Sequence, residues 1–129
     1  MNMKRMQKLA ILLFLIEESR KQGIWCSEKY IQGAINYIQT KKDINLDYDF
    51  ILYKQSLVSF NLRYELAAMR SDELIDIQVN KISYGYSFVI TEYGKEILER
   101  FPSTLMKHKD PIIDTALYIK KEKGKKNVD

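Results

Sequence analysis

The chain has 129 residues, 46% hydrophobic and 29% charged, with five glycines and two prolines, proportions of a single folded domain rather than a disordered or fibrous chain. One cysteine and one histidine exclude an intrachain disulfide framework and leave too few soft ligands for structural zinc. The formal charge of +4 sits mostly in residues 107–129, which hold seven lysines against four acidic residues; residues 1–106 are nearly balanced at +1, so a basic footprint would have to come from arrangement.

Lys4, Arg5 and Lys8 precede an apolar run over residues 9–16. The run meets Glu17 and Glu18 at once and no small-residue cleavage site follows, so it is not expected to be a secretory leader. It is also far short of the ~20 residues that span a bilayer. A cytoplasmic protein is predicted, consistent with a lone thiol. Residues 3–22 read as a helix buried on most sides, closed by Gly23. Ser27 caps a second helix over residues 28–39, where Ile31, Ala34, Ile35 and Ile38 form one face.

From Ile44 the apolar period switches to two, which predicts a strand, most secure over residues 48–53. A loop over residues 54–58 leads to Ser59, the cap of a third helix over residues 60–71 with Leu62, Leu66 and Met69 inside. Residues 75–79 and 86–90 alternate again and predict a β-hairpin, with Gly85 as its turn residue. Thr91 caps a fourth helix that runs through Arg100 and is ended by Pro102. Asp110 and Pro111 start a last helix, apolar at Ile112, Ile113, Ala116 and Leu117.

The predicted fold class is therefore α+β, mainly helical: a winged helix-turn-helix over residues 1–102, a C-terminal helical extension over 103–122 for docking or dimerisation, and a basic disordered tail over 123–129. The stretch from Tyr53 through Lys54, Gln55, Ser56, Leu57, Val58, Ser59 and Phe60 to Leu66 resembles the strand-to-helix junction of bacterial winged-helix proteins of the YwgA-like and SocA-like (Panacea) kind. The opening Arg5-Met6-Gln7-Lys8-Leu9 and the stretch from Leu74 to Thr91-Glu92-Tyr93-Gly94-Lys95 are similar to that group's first helix, wing and following helix start. Ser56-Leu57 departs from the group's Gly-Pro turn. The resemblance covers residues 5–100 and implies a regulatory or interaction role, of the kind found in toxin–antitoxin and phage-defence settings.

No P-loop, dinucleotide-binding, nucleophile-elbow or zinc-protease motif is present, so the protein reads as non-enzymatic, without cofactor or metal. His108 is expected to be solvated and Cys26 to be a small buried hydrophobe. The acidic Asp43, Asp47 and Asp49 lack the glycine and distal glutamate of a calcium loop. In a winged helix that binds double-stranded DNA, the third helix enters the major groove. Asn61, Arg63 and Arg70 suit base edges, Lys54 and Gln55 suit phosphates, and Lys81 and Ser83 suit an adjacent backbone. Against this, Glu65, Asp72, Glu73 and Asp76 offset the positive charge. The alternative is a protein-binding adaptor, antitoxin or inhibitor whose surface uses Tyr64, Tyr84 and Tyr86 beside the arginines, because Tyr and Arg dominate interface hot spots. A homodimer through the first or last helix would suit the DNA reading, and no membrane partner is expected.

Overall fold

The apolar run near the start dictates the architecture. In a computed structural model, which describes residues 3–126 and side chains through residue 122, α1 (Arg5–Lys21) buries every residue from 9 to 16. A helix without a polar face must be covered on all sides. Three elements pack directly on it: β4 (Tyr86–Ile90), α4 (Glu92–Glu99) and α5 (Pro102–Lys126). The second helix, α2 (Glu28–Lys41), packs on α5 and is tied to α1 by a buried 2.7 Å hydrogen bond between the Ser19 and Tyr30 hydroxyls. The architecture is α+β and mainly helical: the described residues hold five helices and two antiparallel hairpins.

The helix ends follow the sequence. Gly23, at φ +80°, closes α1, with Ile24 N–H donating to the Ser19 carbonyl in a Schellman arrangement. The hydroxyls of Ser27, Ser59 and Thr91 accept from the backbone N–H of Tyr30, Leu62 and Gly94, capping α2, α3 (Phe60–Ser71) and α4. The third helix ends in a second Schellman arrangement, in which Glu73 rather than glycine adopts φ +62°.

The predicted strand over residues 44–53 is corrected. Residues 44–50 keep the alternation, with Ile44 and Leu46 buried and Asn45, Asp47 and Asp49 exposed, but they join no sheet. The Gln39 side chain takes the place of a partner strand: its Oε1 accepts from the N–H of Leu46 and Tyr48, and its Nε2 donates to the Tyr48 carbonyl. The predicted loop over residues 54–58 is also corrected. β1 (Ile51–Tyr53) pairs with β2 (Ser56–Val58) through a two-residue turn, with Lys54 at φ 49° and Gln55 at φ 68°. Positive φ at both central residues matches the twist of a tight hairpin, although Asn-Gly is the usual occupant.

The predicted second hairpin is present: β3 (Ile75–Val79) pairs with β4, Ile75 opposite Ile90 and Val79 opposite Tyr86. Its turn residue is corrected, because Tyr84 (φ 60°) and not Gly85 takes the left-handed conformation. On its other edge β4 receives the segment before α2: Phe88 N–H donates to the Cys26 carbonyl, and the buried Ser87 hydroxyl accepts from Cys26 N–H. Cys26 is buried as expected.

The start of α4 is pinned to the end of α3. Thr91 Oγ1 donates to the Glu73 carbonyl at 2.6 Å and Thr91 N–H to the Leu74 carbonyl, and a Cβ at Gly94 would overlap the Leu74 oxygen. Pro102 does not merely end α4; it opens α5, where its missing N–H costs nothing. The predicted helix start at Asp110-Pro111 is corrected, since α5 runs straight through Pro111. This helix docks within the chain: Ile112, Thr115 and Ala116 are buried, Lys120 Nζ donates to the Gln22 carbonyl, and Tyr37 stacks on Tyr118 at 4.8 Å. His108 is half-buried rather than solvated, and burial and the nearby Lys107 lower its pKa. Apart from the α5 backbone through Lys126, the tail expected over residues 123–129 lies outside the described residues.

Two outcomes test this packing. Gly94→Ala should lower stability by about 3 kcal/mol, because the obstacle is backbone and not a yielding side chain, whereas Glu73→Gly should raise it by about 1 kcal/mol in denaturant titrations. Alkaline unfolding should also begin above pH 10. Burial holds the Tyr30 hydroxyl at about 12 and raises that of Tyr48 further still. Between pH 10 and 12 the unfolded chain therefore loses these protons before the folded one, and stability falls as pH rises, by on the order of 2 kcal/mol for Tyr30. Circular dichroism against pH should show that fall, and Tyr30→Phe should shrink it.

Candidate functional site

The third helix is held from below and open above. Leu62, Leu66 and Met69 are buried as predicted, while Asn61, Arg63, Tyr64 and Arg70 are exposed. Its position is set by α2. The Gln32 amide, itself buried, donates to the Ser59 carbonyl at 3.0 Å and accepts from Ser59 N–H at 2.9 Å. One turn earlier on α2, Glu28 grips Arg63 with both oxygens, at 2.9 Å from Nη2 and 3.0 Å from Nε. The guanidinium lies over the Phe60 ring at 5.2 Å, and Tyr53 meets that ring edge-on at 5.4 Å. The hydrogen-bonded Glu28 carboxylate pushes the Arg63 pKa above its already high value.

Eight of the ten sequence-predicted residues fall into three groups. Arg63, Arg70 and Tyr86 share an open cleft of about 440 Å³ between α3 and β4, floored by Leu66 and Phe88 and flanked by Glu28. Lys54 and Gln55 form the tip of the β1–β2 hairpin, with Lys54 Nζ 5.4 Å from the Tyr53 ring centre. The third group, Lys81, Ser83 and Tyr84, stands on the β3–β4 loop. The Asn80 side chain orders that loop by accepting from the N–H of Ile82 and Ser83. Asn61 and Tyr64 point outward from α3 and belong to none of these groups.

The tyrosines expected at the surface, Tyr64, Tyr84 and Tyr86, are exposed, but the aliphatic side chains exposed beside them on the hairpins were missed by the residue-by-residue reading. Leu52 is 75% exposed, Tyr64 71%, Tyr84 86% and Ile82 92%, and Ile51, Leu57 and Val79 are at least half exposed. The consecutive Ile51 and Leu52 were the available signal, since two adjacent apolar residues cannot both face the core from a strand. Glu28 was also missed; its role needs the tertiary approach of α2 to α3. Among the described residues no group of three His, Cys, Asp or Glu side chains gathers as a metal site, and no helix is long and apolar enough to cross a membrane. The chain matches no family model, curated protein or solved structure with which it was compared.

The Glu28–Arg63 pair is partly exposed, so its coupling should be small. A double-mutant cycle with Glu28→Gln and Arg63→Gln should return about 0.5–1 kcal/mol at low salt and clearly less in 0.5 M salt. Coupling that salt leaves unchanged would show the pair to be screened from solvent.

Proposed function

We propose that this chain is a non-enzymatic winged-helix module that works by gripping a protein partner through α3 and the two hairpins beside it. The order of α1, α2, α3 and the β3–β4 hairpin supports the winged-helix reading. So does the segment before α2, which lies against β4 where a third strand of the wing sheet would run. The β1–β2 hairpin is an addition between the second and third helices.

The observation that carries the protein-binding reading is the number of large apolar side chains left exposed on these elements: Leu52 and Leu57, opposite each other on the first hairpin, Tyr64 on α3, and Ile82 and Tyr84 on the β3–β4 loop. Large apolar side chains held in water are what an interaction surface offers a partner, and tyrosine supplies hot-spot contact area at low entropic cost. Lys54, Arg70 and Lys81 are exposed on the same three elements. The fitting partner is therefore a protein surface with an apolar centre and a rim of carboxylates. A cytoplasmic setting accords with a single cysteine, Cys26, which is buried.

Double-stranded DNA is the second reading. It is favoured by the same exposed cations together with Asn61 on the outer side of α3. On that reading Arg63 must leave Glu28 to reach a base, and the exposed apolar side chains of the hairpins would meet no complementary surface.

One pair of measurements tests the choice. A partner captured by the wild-type chain, purified and titrated, should stay bound in 0.5 M salt. It should lose about tenfold or more in affinity with Leu52→Asp or Tyr64→Ala, variants that remain folded because both side chains are exposed. Duplex DNA should not bind below high micromolar concentration. Tight duplex binding that falls steeply with salt, weakens with Arg70→Ala and ignores Leu52→Asp would replace this reading with the DNA one.

A further inference from the structure

On another row of α2, away from Glu28 and Gln32, lies a second cavity. Among the described residues it is lined by Ser27, Lys29, Tyr30, Gly33, Tyr37 and Ile119, and its volume is about 360 Å³. That is within the range of small-ligand sites.

Gly33 is the informative residue. It sits inside a helix of 14 residues, where glycine costs about 1 kcal/mol relative to alanine. Two reasons usually justify such a glycine, and neither applies. Its φ is not positive, and a Cβ placed there would meet nothing within 4 Å. What the missing side chain does is leave the cavity wall open. Lys29 lies one turn before it and Tyr37 one turn after, so the three residues form a single row along the helix.

The walls are formed in advance. Tyr37 is held by its stack on Tyr118, with ring planes 20° apart. Tyr30 is buried and its hydroxyl is fixed on Ser19. Ile119 of α5 supplies an aliphatic side. Rigid aromatic and aliphatic walls select a flat apolar body with little ordering cost. At one end stand the exposed Lys29 ammonium and the first turn of α2, both positive. The acidic residue of that turn, Glu28, is engaged by Arg63 and so does not cancel them.

We propose that this cavity binds a small aromatic carboxylate, its ring system between Tyr30, Tyr37 and Ile119 and its carboxylate on Lys29. Such a ligand would bridge α2 and α5. The proposal does not rest on a protein partner for α3 and the hairpins; it requires only that Glu28 stay paired with Arg63.

The probe is 2-naphthoate, with neutral 2-naphthamide as control, titrated into the full chain by calorimetry and by NMR. Saturable one-to-one binding is expected below about 1 mM, as suits a ligand of this size. Nuclear Overhauser contacts should join the naphthoate protons to the rings of Tyr30 and Tyr37. Gly33→Leu should weaken binding at least tenfold without lowering the melting temperature, because leucine is the better helix former and has space. Lys29→Ala should weaken naphthoate about tenfold and leave the amide unchanged. Absence of saturable binding at 5 mM probe would overturn the proposal, as would full binding by folded Gly33→Leu or Overhauser contacts to other residues. Equal loss of acid and amide in Lys29→Ala would remove the carboxylate from it.

Discussion

Eight consecutive buried side chains in α1 are the constraint from which the rest of the structure follows. Each large aliphatic residue among them contributes roughly 1.5–3 kcal/mol by leaving water, but only if every side of the helix is covered. A single partner helix cannot do that. The chain answers with β4, α4 and α5 around α1, and with α2 closing the assembly through Ser19 and Tyr30. Covering α1 uses the apolar faces of most elements. The third helix, with Leu62, Leu66 and Met69 inside, keeps its opposite side in water, as do the β1–β2 hairpin and the β3–β4 loop.

Two glutamines do work that longer secondary structure does elsewhere. Gln39 satisfies three backbone groups of residues 46–48, and Gln32 satisfies the N–H and carbonyl of buried Ser59. A buried backbone group without a partner costs about 1–3 kcal/mol, so these amides decide where the chain can run between α2 and α3. Gln32 fixes the residue that caps α3, and Glu28, one turn before it, fixes the guanidinium of Arg63. Both lie on one row of α2, while Lys29, Gly33 and Tyr37 occupy the neighbouring row and line the second cavity. A single helix thus orients the outer side of α3 and builds an unrelated cavity beside it.

Much of this was legible in the residues because helix signals are local. Ser27, Ser59 and Thr91 each cap the helix they announce, Gly23 closes α1, and the inner face of α3 follows from spacing alone. What escaped depends on partners distant in sequence. Alternation over residues 44–50 reports which side chains are buried; it does not reveal that a side-chain amide replaces the neighbouring strand. Lys54-Gln55 carries none of the Gly, Asn or Asp that mark a tight turn, so the first hairpin was hidden. Pro111 reads as a helix start, yet a proline inside a helix is tolerated when tertiary packing outweighs the lost bond, and Ile112 and Ala116 supply that packing on the next turn. For the site, residue type pointed to Arg63, Arg70 and Tyr86, and the fold gathers them in one cleft. It did not disclose that Glu28 holds Arg63.

The β1–β2 hairpin is where local energetics and exposure are hardest to reconcile without a partner. Left-handed backbone at Lys54 and Gln55 costs about 1–2 kcal/mol per residue. Strands of three residues form too few cross-strand pairs to offset that, and an isolated two-stranded hairpin is marginal in water. Its anchorage is the edge of Tyr53 on Phe60, a contact of about 0.5–1.5 kcal/mol, continued by the Arg63 guanidinium on the other ring. Ile51, Leu52 and Leu57 meanwhile give up the hydrophobic stabilisation that burial would bring. Duplex DNA, polar and anionic along its backbone, would leave that stabilisation unclaimed, whereas an apolar protein surface would recover it. The balance of costs in this one hairpin is the physical reason to weigh a protein partner above a nucleic acid for the surface built around α3.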